Sequence, residues 1–433
     1  MPRAYWKLWF ATAISNLGNG VSIVAYPWIA SSITRSPLTL SIIGLMGTLP
    51  WLFFSLPAGV ITDRVDRRKL IISMDVMRGV ITAGVAIAVW SSSTKFTLIH
   101  DVSKISVVHS NTLLLTLLML AAFLLGCGEV LGNNASQTFI PKIVPTEKLQ
   151  DANGKLWVAE SLTSNFMGPP LAAFLLGISV IIPFIFDAAS FFFSAGLILL
   201  IVGNFKSNDS AEKAVPATFR KDLSEGLTWL WRHKFLRPLA FTLGALNFQT
   251  SLGFAVLILF AQEILKTNVL TFGLLSTGAA VGGTIGGIFG PRISARLGRG
   301  RTVQIALIGF PSIALIGGLI SSWQIAWLLF GLESFIGIVW NVVTVSLRQE
   351  IIPDQLLGRV NSVYRFFALG TMPLGAILGG LVVTLNQHFM NRQWALRSPL
   401  LLSALLGIFT CIYAIPKLTT AKIEAARTEA AAK

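Results

Sequence analysis

The chain has 433 residues, of which 54% are hydrophobic and only 12% are charged, whereas about 25% of the residues in soluble domains carry a charge. This composition excludes an ordinary soluble protein. The formal net charge of +15 does not indicate nucleic-acid binding, because the basic residues stand in short polar breaks beside long apolar runs. We therefore expect no nucleic-acid partner.

Apolar runs of about 20 residues recur along the whole chain, and each is long enough to cross the roughly 30 Å hydrocarbon core of a bilayer. They predict an all-α polytopic membrane protein with twelve transmembrane helices. The expected spans are residues 8–33, 39–61, 70–91, 111–135, 153–177, 180–203, 236–262, 270–293, 302–322, 325–347, 359–385 and 398–416.

The first span carries polar residues at helical spacing. Asn16, Asn19 and Tyr26 recur at intervals of three and seven residues, which places them on one face of a helix. An asparagine amide can donate and accept hydrogen bonds with a solute that has no fixed charge. Because lipid does not satisfy such groups, we expect this face to point into the protein.

Between the second and third spans, the segment Gly59 to Lys69 carries six charges in its last seven residues. Each ionised group at the bilayer centre costs at least about 2.5 kcal/mol, so the cluster marks a tight turn outside the lipid. With both termini on the same side as this turn, 27 of the 34 Lys and Arg residues lie on that side and 6 on the other. The positive-inside rule then predicts that both termini are cytoplasmic.

Two spans combine an acid with an asparagine on the same face. Glu129 and Asn133 are one turn apart in the fourth span, and Glu333 and Asn341 are two turns apart in the tenth. The seventh span adds Asn247. Ionisable residues inside a membrane are functional by default, and a carboxyl group in a low-dielectric cavity takes up a proton more readily than one in water. Glu129 is therefore the first candidate for proton coupling and Glu333 the second.

Other charges inside the spans have a structural interpretation. Asp75 and Arg78 stand three residues apart in the third span, and this spacing predicts a local ion pair. Glu160 and Asp187 have an alternative to a functional role, as bonding partners of small polar groups.

The longest polar break, residues 204–235, divides the chain into six spans plus six. Its later part has Phe219, Leu223, Leu227 and Leu230 at helical spacing. This spacing predicts an amphipathic helix on the membrane surface. A solvated linker helix without a function is the alternative.

The two halves on either side of this break look like copies of one another. An offset of 208 residues pairs Asn133 with Asn341, and an offset of 231 residues pairs Asn16 with Asn247. Repeated halves are typical of alternating-access transporters. We predict two pseudo-symmetric six-helix bundles, residues 1–203 and 236–433, joined by a cytoplasmic linker at residues 204–235.

Two segments resemble a known transporter family. They are "SPLTLSIIGLMGTLPWLFFSLPAGVITDRVDRRKLIISMDVMRG" at residues 36–79 and "FIPKIVPTEKLQDANG" at residues 139–154. The loop motif, a glycine followed four residues later by Asp-Arg and then a basic cluster, is typical of the major facilitator superfamily. The whole chain resembles that superfamily, and within it most resembles the bacterial exporter branch containing enterobactin and macrolide exporters.

The resemblance implies two bundles that rock around a central cavity lined by the first, fourth, seventh and tenth helices. It also implies that Asp63 latches the cytoplasmic end against the start of the eleventh helix, where a carboxylate is favoured. A loop that only fixes topology is the alternative. The expected gate comprises Gly59, Asp63, Arg64, Arg67, Arg68 and Arg359. The expected cavity residues are Asn16, Asn19, Tyr26, Asn133, Asn247, Asn341 and Arg365.

The chain departs from the drug–proton antiporters of the superfamily in three places. The fourth span has no arginine, and the fifth-helix pattern Gly-Pro-x-x-Gly-Gly stands only as Gly168 to Ala173. Asn19 occupies a position where many members of the branch have an acid. Proton coupling through these positions is therefore not expected to follow the pattern of those antiporters.

These features predict a secondary active transporter of the cell inner membrane that exports a small hydrophobic or amphiphilic compound, drug- or siderophore-like, by alternating access. A proton gradient is the expected energy source. A lysophospholipid or amphiphile transporter and a non-transporting membrane ligand sensor are the alternatives. The chain lacks Walker, metal-ligand and nucleophile-elbow patterns, so we expect no enzyme activity, no cofactor and no metal. The expected partners are the substrate, the proton gradient and the lipid bilayer, and we expect the protein to work as a monomer.

Overall fold

A computed structural model describes residues 1–92, 111–203, 205 and 219–431. The part of the chain that it describes is helical, with no β-strand. The helices are α1 (Arg3–Ile33), α2 (Pro37–Arg64), α3 (Arg67–Ser92), α4 (Thr112–Ile143), α5 (Leu149–Glu160), α6 (Gly168–Ile178), α7 (Ile182–Leu199), α8 (Phe219–Arg232), α9 (Leu236–Phe254), α10 (Leu257–Glu263), α11 (Val269–Leu297), α12 (Arg299–Leu319), α13 (Trp323–Ile351), α14 (Asp354–Asn386), α15 (Arg392–Ala414) and α16 (Thr420–Ala431).

Ten of these helices are long and apolar enough to cross a membrane. The pair α9 and α10, bent by 42°, makes an eleventh if it forms one span. The fifth expected span is also interrupted, because a π-helical segment, Ser161–Met167, joins α5 to α6. The protein is an all-α polytopic membrane protein, and the twelve expected spans correspond to the ten unbroken helices and these two interrupted ones.

Polar residues in the short breaks determine where several spans begin. The side-chain oxygens of Ser36, Asn111, Ser322 and Asn391 each accept a hydrogen bond from the backbone N–H three residues later. The first turn of a helix has N–H groups without intrahelical partners, and such caps satisfy one of them. The short polar breaks in the sequence therefore supply the N-cap residues of the helices that follow.

The structure divides into two compact units. Unit 1 comprises Met1–Asp209 together with Ile258–Ala280. In it, α7 packs on both α1 and α3, and α4 packs on both α2 and α3. The buried Tyr5 joins α1 to α5, since its hydroxyl donates to the carbonyl oxygen of Ala152 at 2.9 Å. Close packing of α1, α3 and α7 thus forms the centre of this unit.

The segment Ile258–Ala280 contacts the end of α1 within unit 1. The amide nitrogen of Gln262 donates to the hydroxyl of Ser31 at 2.9 Å, and the Arg35 guanidinium lies 3.8 Å from the carboxylate of Glu263. This segment follows the linker in sequence, and we had expected it in the C-terminal bundle. The division into residues 1–203, 204–235 and 236–433 stays a prediction, and part of that linker lies outside the described residues.

Unit 2 comprises Ser210–Leu257 and Val281–Lys433. Its core lies where α14 and α15 pack on α9 and where α12 packs on α15. The buried Tyr364 donates to the carbonyl oxygen of Leu236 at 2.6 Å and so joins α14 to α9. Unit 1 has the same arrangement, in which a buried tyrosine joins a first span to a fifth. This likeness is what repeated halves lead one to expect.

The last helix of unit 2 is held by ionic contacts. Glu350, at the end of α13, accepts two bonds from Arg299 at 2.7 and 2.8 Å and one from Arg427 of α16 at 2.6 Å. The offset of 231 residues that pairs Asn16 with Asn247 also pairs Arg68 of the charged turn with Arg299. The second copy of this turn therefore pairs an arginine with an acid on another helix of the same unit.

Candidate functional site

The charged turn between α2 and α3 is held together by Asp66. Its carboxylate accepts the backbone N–H of Lys69 at 3.0 Å and that of Phe205 at 3.3 Å. The first contact caps α3, because it satisfies an N–H of the first helical turn. The second ties the turn to the chain that follows α7. Asp66 is therefore a structural residue of the turn, a role that sequence reasoning did not assign to it.

Arg68 binds the C-terminal end of α7. Its guanidinium donates to the carbonyl oxygens of Ile198 at 3.2 Å and Leu199 at 2.6 Å. A cation is stabilised at a helix C-terminus by the unpaired carbonyls and the helix dipole. Arg67 beside it is buried. Both cations were expected at a gate, and the contacts seen for Arg68 lie within unit 1.

The other expected gate residues, and one expected cavity residue, lie outside the described side chains. Their backbone is helical, but nothing is described of the side chains of Gly59, Asp63, Arg64, Arg359 and Arg365.

Asn16 and Asn19 share a face of α1, as predicted, and their side chains bond one another at 3.4 Å. Asn19 also accepts a hydrogen bond from Arg78 of α3. It thus connects the polar face of α1 to a charged group between the helices. Tyr26 is buried, with its ring 5.2 Å from that of Phe184 in an edge-on contact, and we leave it out of the proposed cavity.

Glu129 is partly exposed on α4. A second acid, Glu160 at the end of α5, lies within electrostatic reach of it. Asn133, also partly exposed, is one turn from Glu129, and the neighbouring Asn134 accepts a bond from Thr62 at 3.2 Å. Sequence reasoning placed Glu129 and Asn133 together but missed the pairing with Glu160.

The π-helical segment that follows Glu160 packs on α1. A Cβ atom added at Gly20 would clash with the carbonyl oxygen of Ser164 and would lie 2.9 Å from the Cα of Gly168. The two helices therefore cross at a contact between glycines. π-helical turns inside helices are rare and occur frequently at functional sites. Although the chain departs from the Gly-Pro-x-x-Gly-Gly pattern, it keeps Gly168, the glycine that this crossing needs.

Unit 2 contains the remaining predicted residues whose side chains are described. Asn247 on α9 and Glu333 on α13 are partly exposed, and Asn341, two turns beyond Glu333, is exposed. On the same helix, Gly331 and Phe335 are approached by glycines of α11. A Cβ atom at Gly282 would clash with the backbone of Gly331. Small residues thus allow close backbone contact beside Glu333.

A cluster of charges lies between α1, α3 and α7 of unit 1. The predicted pair of Asp75 and Arg78 is confirmed, at a distance of 3.9 Å. Asp187 accepts a hydrogen bond from the hydroxyl of Ser22 at 2.5 Å, in line with the structural alternative given above. The sequence offered no sign that Asp187 and Arg78 belong to one cluster, because they are more than 100 residues apart. Among the described residues, no group of His, Cys, Asp and Glu could hold a metal ion.

A model of the family described as transmembrane secretion effector, within the major facilitator superfamily, matches residues 2–431. The chain belongs to this family. As a member of the major facilitator superfamily it is a membrane transporter and not an enzyme, which confirms the resemblance seen in the loop motif.

Relatives in this family cover most of the chain. The multidrug efflux pump Tap of Mycolicibacterium fortuitum is 25% identical over 410 residues, which are 92% of this chain and 94% of that protein. Macrolide efflux protein A of Streptococcus pyogenes is 24% identical over 87% of this chain and 88% of its own length.

Solved structures show the same fold. The nucleoside transporter NupG has a TM-score of 0.67 at 11% identity, covering 96% of this chain and 99% of its own. A bacterial homologue of the lysosomal transporter Spinster, in an inward-facing state, has a TM-score of 0.66 at 14% identity and covers 99% and 97% of the two chains. At such identities the likeness concerns the fold alone.

Proposed function

We propose that this transporter exports a small hydrophobic or amphiphilic compound, drug-like in character, by alternating access. The observation that carries the proposal is the match of the secretion-effector family to nearly the whole chain. Relatives named for multidrug and macrolide efflux support a drug-like substrate. The protein acts as a monomer with two six-helix bundles joined by a cytoplasmic linker.

In each unit taken by itself, polar side chains on apolar helices are the proposed contacts of the substrate. Asn16, Asn133 and Asn247 are partly exposed on helices that are otherwise apolar, and Asn341 is exposed. Amides bind a neutral or zwitterionic solute without holding it through a fixed charge. Such a path suits a hydrophobic compound with a few polar groups, because release to the far side then needs no ion pair to break.

A proton gradient drives the cycle through acids in this path. Glu129 is the first coupling group, because it is partly exposed and has Glu160 within electrostatic reach. Glu333 is the second, in the corresponding span of the other half. Uptake of a proton by Glu129 removes the repulsion between the two acids. Closing the path around these acids during the conformational change then costs less free energy.

The protein lies in the inner membrane with both termini in the cytoplasm, on the side that holds 27 of the 34 basic residues. The charged turn between α2 and α3 is then cytoplasmic. Asp63 is the proposed latch of the gate, and Gly59, Arg64 and Arg359 are the other proposed gate residues. A carboxylate suits this role, because a helix N-terminus attracts an anion.

The test is transport by the purified protein in proteoliposomes, with erythromycin and ethidium as probes. We expect accumulation against a gradient when a pH difference is imposed, and its loss when a protonophore is added. Transport that ignores the protonophore would contradict proton coupling. Binding of a probe without counterflow would identify a sensor, and movement of lysophosphatidylethanolamine without movement of either probe would identify a lipid transporter.

A further inference from the structure

Two acids and one base are buried together in the middle of unit 1. Asp75 and Arg78 on α3 have side chains that are 9% and 7% exposed, and Asp187 on α7 is 1% exposed. We call these three residues the buried carboxylate cluster. With all three ionised, the cluster carries one net negative charge. A buried charge without compensation is costly, and binding one proton would neutralise it.

Arg78 and Asp75 are engaged with other groups. Arg78 donates to Asn19 and lies 4.0 Å over the ring centroid of Phe191, in addition to its ion pair with Asp75. Asp75 accepts a further bond from Ser194 at 2.6 Å. These contacts satisfy the charge of Asp75 locally. The excess negative charge of the cluster is therefore concentrated on Asp187.

Asp187 is only half satisfied. One carboxylate oxygen accepts from Ser22, and the other, Oδ1, is buried without a hydrogen-bond partner. The hydroxyls of Tyr26 on α1 and Thr82 on α3 are also buried without partners. Tyr26 lies within electrostatic reach of Asp187. The helices of unit 1 thus enclose a buried carboxylate oxygen to which no described group donates a hydrogen bond.

Few titratable side chains of the described residues lie around Asp187. α3 presents Asp75 and Arg78, and α1 presents Tyr26. Farther along α7, at its C-terminus, Arg68 and Lys7 bind backbone carbonyl oxygens. Arg78 is thus the cation that faces Asp187, and it is shared with Asp75.

The corresponding contact of unit 2 contains no charge. There Gln249 of α9 donates to Thr410 of α15 at 2.6 Å, and Ser403 of α15 donates to the carbonyl oxygen of Gln249 at 2.9 Å. A first and a sixth span can therefore pack through neutral hydrogen bonds in this chain. Since neutral groups often replace a buried ion cluster without loss of stability, packing alone does not account for the charges in unit 1.

We propose that Asp187 is a proton-binding site of the transport cycle, separate from the acids of the path. A proton from the aqueous phase forms an O–H bond at Oδ1, and no bond of the protein breaks. This proton removes the net negative charge, and the cluster becomes neutral.

Asn19 links this site to the transport path. It accepts from Arg78 on one side and bonds Asn16, a path residue, on the other. Once Asp187 is protonated, the ion pair of Arg78 with Asp75 becomes stronger, and the hydrogen bond of Arg78 to Asn19 weakens. The polar face of α1 is then free to change its contacts. This role in coupling rests on the proposed function, whereas proton binding itself does not.

Proton binding can be tested without any substrate, by infrared difference spectroscopy of the intact protein in nanodiscs over a pH titration. We expect a C=O band of a protonated carboxyl group that is lost in Asp187→Asn and kept in Glu129→Gln and Glu333→Gln. In Tyr26→Phe the band should also remain, because the carboxyl group that gives it is unchanged. A titrating band that is identical in wild type and Asp187→Asn would overturn the assignment.

Replacing choline by sodium at constant pH distinguishes a proton from a metal cation at the same oxygens. An unchanged band is expected. A band that disappears with sodium would overturn the proton assignment in favour of a sodium site.

Coupling is tested with erythromycin and ethidium in proteoliposomes. Asp187→Asn should lower gradient-driven accumulation by about tenfold while counterflow without a gradient persists. If wild type transports neither probe but its band titrates, the proposed function fails and the proton site stands. If Asp187→Asn lacks the band but accumulates the probes as wild type does, the coupling role is overturned.

Discussion

Arg78 shows how a single charged residue can be accommodated between membrane helices. Its guanidinium contacts the carboxylate of Asp75, the amide oxygen of Asn19 and the ring of Phe191. Removing one partner of a buried ion pair leaves the other charge uncompensated, which is usually more costly than never having had the pair. The stability of unit 1 is therefore expected to depend on Arg78 more than on either acid.

We predict that Arg78→Met destabilises the protein by roughly 3–5 kcal/mol, because Asp75 and Asp187 then face each other without a cation. Thermal unfolding of the detergent-solubilised protein, followed by tryptophan fluorescence, measures the change. Lys148→Met, at an exposed position, is the matched loss of a cation and should have little effect. In the double variant Asp75→Asn with Arg78→Met, part of the loss should be recovered. A double variant less stable than Arg78→Met would contradict this account.

At the scale of helices, glycines at close crossings bring spans together in both units. Gly20 and Gly168 let α1 approach the π-helical segment, and Gly375 and Gly379 let α14 approach the backbone of α9. Helices in lipid associate through such packing, because the hydrophobic effect gives no advantage there. The crossing of a first span with a fifth is thus made in the same way in each half.

We predict that Gly20→Ala destabilises unit 1 by about 1–3 kcal/mol, the usual cost of overpacking, because its methyl group meets backbone atoms that cannot rotate away. Gly44→Ala is the matched control, since a Cβ atom there meets nothing within 4 Å. Alanine favours a helix over glycine, so the control should be neutral or slightly stabilising. Equal unfolding temperatures for the two variants would contradict the importance of this crossing.

In the turn between α2 and α3, we expect some charged residues to stabilise the structure and others to act in gating. Asp66 and Arg68 are used in contacts within unit 1, which leaves Asp63 as the acid of the motif for the proposed latch. We predict that Asp63→Asn reduces uptake of ethidium into everted vesicles, which corresponds to export from the cell, at least severalfold, with a normal protein level. Asp66→Ala should instead lower stability, because it removes the cap of α3, which contributes about 1 kcal/mol. Undiminished export by Asp63→Asn would remove the latch from the mechanism.

At the scale of the whole molecule, the proposed mechanism separates substrate binding from proton coupling. We predict that Glu129→Gln still binds erythromycin but no longer accumulates it when a pH gradient is imposed. The amide keeps the shape and hydrogen bonds of the side chain but cannot take up and release a proton. Equilibrium binding and gradient-driven uptake, measured on the same preparation, check the two halves of this prediction. Glu160→Gln should have a smaller effect, and gradient-driven uptake that survives in Glu129→Gln would turn attention to Glu333.

The sequence alone predicted the class of protein, the positions of its membrane spans and the family that it resembles. Hydropathy acts locally, since each apolar run must satisfy its own backbone hydrogen bonds inside lipid, so the spans can be read one at a time. The loop motif at Asp63 and Asp66 is equally local. The ion pair of Asp75 with Arg78 could also be predicted, because three residues of one helix separate them.

Only the tertiary structure decided which distant groups meet. The contact of Asn19 with Arg78 and the bond of Ser22 to Asp187 join residues 59 and 165 positions apart. Which helices bring such residues together depends on the packing of whole helices rather than on any local pattern. The unpartnered oxygens of Asp187, Tyr26 and Thr82 emerge only from that packing. The placement of Tyr26 on a polar face from helix spacing stays a prediction, and only the packing of whole helices shows that its side chain is buried against Phe184.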